Sequence, residues 1–195
     1  MLRVGITGGI GSGKTTACKI FEELNVPVYY ADERARWLMD HNEFLRSSLI
    51  GLFGEGVYGN DHKLNRPYLA DIVFTHPEKL HKLNELVHPA VREDRLIFSE
   101  QHIHKPYMLT EAALLIESGS YKEMDKMILV YAPEEVRIAR VIERDQTTES
   151  KVRDRIRNQM SDEEKIPFCQ YVIHNFGAFS LREQVCMLHD LILKK

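Results

Sequence analysis

Gly5-Ile-Thr-Gly8-Gly9-Ile-Gly11-Ser12-Gly13-Lys14-Thr15-Thr16 decides the fold of this 195-residue chain. A short apolar run, Leu2 to Thr7, precedes the glycines. After Lys14 the period changes, with Ala17, Ile20, Phe21 and Leu24 recurring at three- and four-residue spacing, as on one face of a helix. A second β-prone run, Val26 to Ala31, ends at Asp32. The opening therefore reads strand, glycine loop, helix, strand, a βαβ unit. Residues Gly8 to Thr15 fit GxxxxGK[ST] in full. Glycines let backbone amides turn inward as an anion nest, and the helix beginning near Gly13 aims unpaired N–H groups at the same phosphates. Lys14 would neutralise charge between β- and γ-phosphates, and the Thr15 hydroxyl would bind Mg²⁺ as the metal ligand.

Outward from this loop, residues 33 to about 101 hold helix-like stretches, such as Pro77 to Gln101, and a glycine-containing turn region at Gly51 to Gly59. Strand-like runs return at Tyr107 to Thr110, Met127 to Tyr131 and Tyr171 to His174. Helical patterns follow at Glu134 to Asp145, Glu149 to Met160 and Leu181 to Leu193. This alternation predicts an α/β protein, a parallel sheet covered by helices, with a helical insert after the second strand.

Composition narrows the function classes. Hydrophobic residues make up 44% and charged residues 28%, so a core can form. The longest apolar run, Met127 to Ala132, is far short of the ~18 residues of a spanning helix. A net charge of −3 argues against a general nucleic-acid binder. The start shows no apolar export signal, and Cys18, Cys169 and Cys186 form no metal or disulfide spacing. An intracellular, cytoplasmic protein is the expectation.

The loop alone does not choose among GTPases, motors and small-molecule kinases. No DxxG or NKxD-like segment supports a GTPase. The later strand-like runs lack a terminal aspartate, although Glu111 follows Thr110; the second run does end in one, Asp32. Loops at the carboxyl ends of neighbouring parallel strands face one crevice, so Asp32 is a candidate base for an attacking hydroxyl. It would equally cap a helix starting at Glu33. Arg137, Arg140 and Arg144 share a helix face, and residues 137 to 157 carry seven basic and four acidic residues. Such a stretch suits a lid that brings arginines to a transferring phosphoryl group, or a solvated helix with ordinary ion pairs. A nucleoside or nucleotide kinase and a regulatory ATP-binding switch both remain open on these features.

The loop, Val26-Pro-Val with Ala31-Asp32 and Ala35-Arg36, His88-Pro89 with Arg92, Leu114-Leu-Ile-Glu117, Arg140 with Arg144-Asp145, Gln159, Glu164-Lys165 and Ile173-His-Asn175 resemble the dephospho-coenzyme A kinase family. The resemblance spans nearly the whole chain. It implies ATP-dependent phosphorylation of the ribose 3′-hydroxyl of dephospho-coenzyme A, the last step of coenzyme A synthesis, with ATP and Mg²⁺. It implies the P-loop NTPase fold with a nucleotide-binding core over 1–32 and 105–195, a helical acceptor-binding insert over 33–104 and a helical lid over 137–165. Carried over by residue, Gly8, Gly9, Gly11, Ser12, Gly13, Lys14, Thr15 and Thr16 bind ATP, and Asn175 falls near its adenine. Asp32, Lys14 and Arg140 are catalytic. Asp32, Arg36, His88 and Arg92 match positions near the acceptor. The expected partner is the small-molecule acceptor, with no nucleic acid or membrane, in a monomer or weak homo-oligomer. The chain departs from the family pattern at Ala113, Cys169-Gln170, His174 and Arg137, where the family usually has glutamine. None of these departures is expected to touch the loop, Asp32 or Arg140.

Overall fold

In the computed structural model, which describes residues 1–194 except the Phe74 side chain, five strands form one sheet. They are β1 (Leu2–Thr7), β2 (Val28–Tyr30), β3 (Tyr107–Glu111), β4 (Lys126–Tyr131) and β5 (Tyr171–His174). Every pairing is parallel, in the order β2-β3-β1-β4-β5. The strand that feeds the glycine loop is thus central. Both faces of a parallel sheet are covered in such folds. On one face Val4 and Ile6 of β1 and Ile128 and Val130 of β4 pack with Ala17, Cys18 and Phe21 of α1 (Lys14–Glu23). The C-terminal helix adds Val185, Leu188 and Ile192 to the same cluster.

The described residues divide into two compact units, Met1–Tyr30 with His102–Lys195, and Ala31–Gln101. The second unit is helical: α2 (Ala31–His41), α3 (Glu43–Phe53), α4 (Arg66–Thr75) and α5 (Pro77–Gln101). It has its own core of Leu49, Phe53, Val57, Tyr58, Leu64 and Leu69. Asn42 and Asn65 accept from the backbone amides of Leu45 and Tyr68 and so cap α3 and α4. Arg34 of α2 grips Asp94 of α5 with two bonds, at 2.8 and 2.5 Å. In the first unit the chain continues after β4 through α6 (Glu134–Asp145), α7 (Glu149–Arg157), α8 (Asp162–Lys165) and, after β5, α9 (Leu181–Leu193).

Several local readings shift. The second strand starts at Val28, because Pro27 has no N–H to give the ladder. Gly51 lies inside α3, and the turn begins only at Gly54, where φ is +86°. Helix α2 begins at Ala31, so Asp32 sits in its first turn and is not an N-cap for a helix from Glu33. There its charge favours the positive helix end. Helix α7 ends at Arg157, three residues before Met160. Glu111 does not follow β3; it is the last residue of that strand, buried and in register with Ile6 and Tyr30.

Candidate functional site

The glycine loop leaves β1 at Thr7 and re-enters regular structure at Lys14, the first residue of α1. Glycine is required at Gly8, Gly11 and Gly13, and the last two show why. Gly13 has φ +94°, and a Cβ there would overlap the Asn175 side-chain amide. Gly11 has φ +79°, and its Cβ would lie 2.5 Å from the Arg137 carbonyl oxygen. L-residues resist both conformations, so the loop takes a shape that only this spacing of glycines allows. The Ser12 amide donates back to the Gly9 carbonyl at 3.1 Å, closing a tight turn.

Lys14 is buried, and its ammonium donates to the Gly8 carbonyl at 2.8 Å. A lysine held across the mouth of a loop of amides places a positive charge where phosphate oxygens would lie. Thr15 and Thr16 are exposed in the first turn of α1. Beneath the loop, Cys18 is fully buried; burial, reinforced by the Glu111 charge and opposed by that of Lys14, raises its thiol well above the ordinary range. It is therefore a packing residue and not a nucleophile.

Helix α6 fastens to the loop through its arginines. Arg140 donates to the Asn175 carbonyl at 2.9 Å and to the Gly11 carbonyl at 3.4 Å. Asn175, just past β5, donates its side-chain amide to the Ser12 carbonyl at 2.8 Å. Arg140, Asn175 and the loop thus form one hydrogen-bonded group, and the Asn175 amide is engaged with the phosphate loop itself.

Arg137 also touches the loop, contrary to the expectation that the departures lie away from it. Its guanidinium covers Gly9, where an added Cβ would overlap it. The side chain is buried, 8% exposed, with Nε 3.9 Å from Asp162 Oδ2. The expected shared face of Arg137, Arg140 and Arg144 is therefore divided. The first two turn to the loop, whereas Arg144 pairs with Asp145 at 2.7 Å. Most of the remaining basic cluster forms ordinary ion pairs. Arg153 bridges Glu134, Glu135 and Glu149, Arg155 binds Asp145, and Arg157 pairs with Asp154. Helices α6 and α7 pack through Ile138, Val141 and Val152, with Ile10 of the loop against them.

The acceptor-side candidates lie in the helical unit. Asp32 and Arg36 are exposed and one turn apart on α2, and His88 and Arg92 are one turn apart on α5. Desolvation by surrounding protein holds the His88 imidazole below its ordinary range, favouring its neutral form.

Two residues against the loop escaped the sequence reading in their roles. Gln159 Oε1 accepts the Ile10 amide at 3.0 Å, and Asp162 is buried beside Arg137. Their sequence signal was the Ser161-x-x-Glu164 capping box, which both reciprocal bonds complete. Among the described residues no group of three His, Cys, Asp or Glu gathers to hold a metal.

Comparison with known proteins identifies the family and the fold. A family model described as dephospho-CoA kinase matches residues 2–180. The dephospho-CoA kinase of Bacteroides fragilis strain YCH46 is 37% identical over 194 residues, covering 100% of this chain and 94% of that protein. The Salinibacter ruber dephospho-CoA kinase is 40% identical over 182 residues, 92% of each. Among solved structures, a Thermus thermophilus protein superposes with a TM-score of 0.84 at 35% identity, over 97% of both chains. The Campylobacter jejuni dephospho-CoA kinase superposes with a TM-score of 0.73 at 25% identity, covering 98% of this chain and 97% of that one. An Acinetobacter baumannii shikimate kinase, 16% identical with a TM-score of 0.53, shares the fold.

Proposed function

This chain belongs to the dephospho-CoA kinase family, and on that premise we propose how its residues divide the work of phosphoryl transfer. The activity is that of a dephospho-CoA kinase, an ATP-using transferase with an alcohol acceptor, acting in the final step of coenzyme A synthesis. The bond formed joins the γ-phosphorus to the ribose 3′-oxygen; the bond broken frees ADP.

The observation that carries the division of roles is the loop group, with Lys14 on the Gly8 carbonyl and Arg140 and Asn175 bonded to the loop's far side. Loop amides from Gly11 to Thr16, apart from that of Ser12, which closes the turn onto Gly9, receive the β- and γ-phosphates, and Lys14 moves from the Gly8 carbonyl onto their oxygens. Arg140 stabilises the charge that grows on the transferring group. Asp32, two residues beyond β2, takes the proton of the attacking hydroxyl. Arg36, His88 and Arg92 hold the acceptor's anionic and polar groups, with His88 serving as a hydrogen-bonding group. Residues 137–165 act as the lid, and residues 33–104 as the acceptor-binding insert.

The donor set fits a magnesium ion that arrives with the nucleotide. Thr15 is exposed at the start of α1 and offers a hydroxyl oxygen, the donor type that magnesium takes. Thr15 would hold that ion, which when bound shields phosphate charge. The reading extends to a cytoplasmic location and a monomer or weak homo-oligomer, and to no nucleic-acid partner, the last supported by the net charge of −3. No helix among the described residues is long and apolar enough to cross a membrane.

The direct test is ADP release from MgATP with and without dephospho-CoA, with the product's mass recorded. Acceptor-dependent ADP and one added phosphate on the 3′-hydroxyl are expected. ADP release indifferent to this acceptor would refute the assignment.

A further inference from the structure

The segment from Gln159 to Lys165 packs two oppositely charged pairs behind the phosphate loop. Asp162, the first residue of α8, is 3% exposed and faces the 8%-exposed Arg137 side chain of α6. Lys165 is fully buried, with Nζ 3.1 Å from Glu117 Oε1, and the same carboxylate oxygen accepts the Met160 amide at 3.0 Å. Asp162 thus lies between two cations. Its backbone is fixed by the capping box, in which the Ser161 amide donates to Glu164 at 2.8 Å and the Glu164 amide to Ser161 at 3.2 Å.

This arrangement is poorly built as a stabilising ion pair. At 3.9 Å the Arg137–Asp162 contact is too long for a hydrogen bond. Arg137 Nε and both Asp162 carboxylate oxygens are buried without a completed hydrogen bond. Buried charges held for stability are normally hydrogen-bonded as well as paired. Burial raises the Asp162 carboxyl above its ordinary range, with Arg137 and then Lys165 opposing the shift and the Gly9 amide adding a weaker favourable interaction. A cavity of about 310 Å³ adjoins the pair, lined by Tyr131, Glu134, Arg137, Gln159 and Asp162 among others. What the pair does touch is the loop. The Arg137 guanidinium covers Gly9, and Gln159 takes the next amide, Ile10.

We propose that Asp162 is a positioning residue for nucleotide binding, holding the Arg137 guanidinium against Gly9 so that the front half of the phosphate loop keeps its anion-binding shape. The inference rests on the loop being the nucleotide site. Asp162 acts only through Arg137 and the loop backbone. Removing its charge frees the guanidinium to turn into the adjoining cavity, and Gly9 loses the group that covers it. The turn at Gly9 then shifts, and the loop amides from Gly11 onward point less well at a phosphate, while the acceptor and its base are unaffected. The mechanism therefore weakens ATP binding selectively.

The experiment compares wild type, Asp162→Asn, Arg137→Gln and the double variant. It measures melting temperature, ATP affinity by direct titration, and steady-state kinetics with both substrates. Asp162→Asn is expected to raise Kd and KM for ATP about tenfold, a coupling common for contacting charged neighbours, with kcat and the acceptor KM within about twofold. The two single effects should be sub-multiplicative in the double variant, since each breaks the same contact. Arg137→Lys, which keeps the charge but loses the planar fork, should resemble Arg137→Gln in ATP affinity. This variant serves as the test if Asp162→Asn fails to fold. ATP affinity within about twofold of wild type in a folded Asp162→Asn protein, or independent multiplication of the two single effects, overturns the proposal. The titration needs no acceptor, so failure of the acceptor assignment would show in turnover and leave this readout intact.

Discussion

Two glycine-to-alanine substitutions, at Gly11 and at Gly51, should move stability in opposite directions, and the structure gives the size of each. A Cβ at Gly11 would sit 2.5 Å from the Arg137 carbonyl oxygen and 2.9 Å from Val141 Cγ2, whereas ordinary contact begins near 3.4 Å. Because the first neighbour is helix backbone, α6 would have to retreat by roughly 0.9 Å, a distortion of the overpacking kind that costs about 1–3 kcal/mol. The left-handed backbone at φ +79° adds roughly 1–2 kcal/mol for an L-residue. Together these give about 3 kcal/mol, or a fall in Tm of ~6–12 °C for a chain of this length. Gly51, by contrast, is exposed within α3, has ordinary helical backbone and meets nothing within 4 Å of an added Cβ. Alanine there should raise stability by about 1 kcal/mol through helix propensity, a gain in Tm of ~2–4 °C.

The consequences for binding differ as well. The Gly11 carbonyl accepts from Arg140, so displacing α6 pulls that arginine from the loop, and ATP affinity should fall at least ~10-fold. The Gly51 variant should bind ATP as wild type does. Thermal melts with and without ATP, followed by titration, measure both quantities. A Gly11→Ala protein that melts within about 2 °C of wild type and binds ATP normally would refute the close approach of α6 to the loop.

Asp32→Asn should lower kcat by roughly 10²–10⁴-fold, the range for loss of a general base, with ATP affinity kept; turnover within tenfold of wild type would remove Asp32 from that role. Arg140→Ala should cost turnover far more than Arg153→Ala, because Arg153 is spent on three carboxylates at the surface while Arg140 bonds to the loop; equal losses in steady-state rates would contradict this. Arg3, bonded to Asp125 at 3.1 Å through its guanidinium and at 2.7 Å through its backbone amide, holds that carboxyl below the usual carboxylate range. A lowered folded-state pKa contributes stability that is complete above the ordinary aspartate pKa of about 3.9 and disappears as pH falls through the lowered value. With side chains 46% and 36% exposed, solvent screening limits the pair to about 1 kcal/mol. Melts across pH should therefore find Asp125→Asn below wild type at pH 7 and the gap closing under pH ~4.

The phosphate loop was legible because its chemistry is local. Consecutive residues supply the amides, the lysine and the hydroxyl, and the glycine spacing that forms the nest is the spacing that marks it. The parallel sheet was legible for a related reason, since β1, β3 and β4 are largely buried on both faces and read as apolar runs. Arg140 lay within reach of helical periodicity. The same periodicity did not say what its neighbours meet: i, i+3, i+7 spacing placed Arg137, Arg140 and Arg144 on one face, but a face can have one end buried and the other in solvent. Nothing in α6 itself says that Gly9 lies across from Arg137, and that contact depends on how β1 and β4 are ordered in the sheet. Asp162 shows the limit more sharply. The Ser161-x-x-Glu164 box announces that a helix starts there, yet the partner of the helix's first carboxylate is 25 residues upstream on α6, and the loop amide held by Gln159 is 149 residues away. Local pattern fixes which groups are presented; topology decides what they meet. The groups that meet the loop from a distance are therefore the ones whose contributions must be separated by double-mutant cycles.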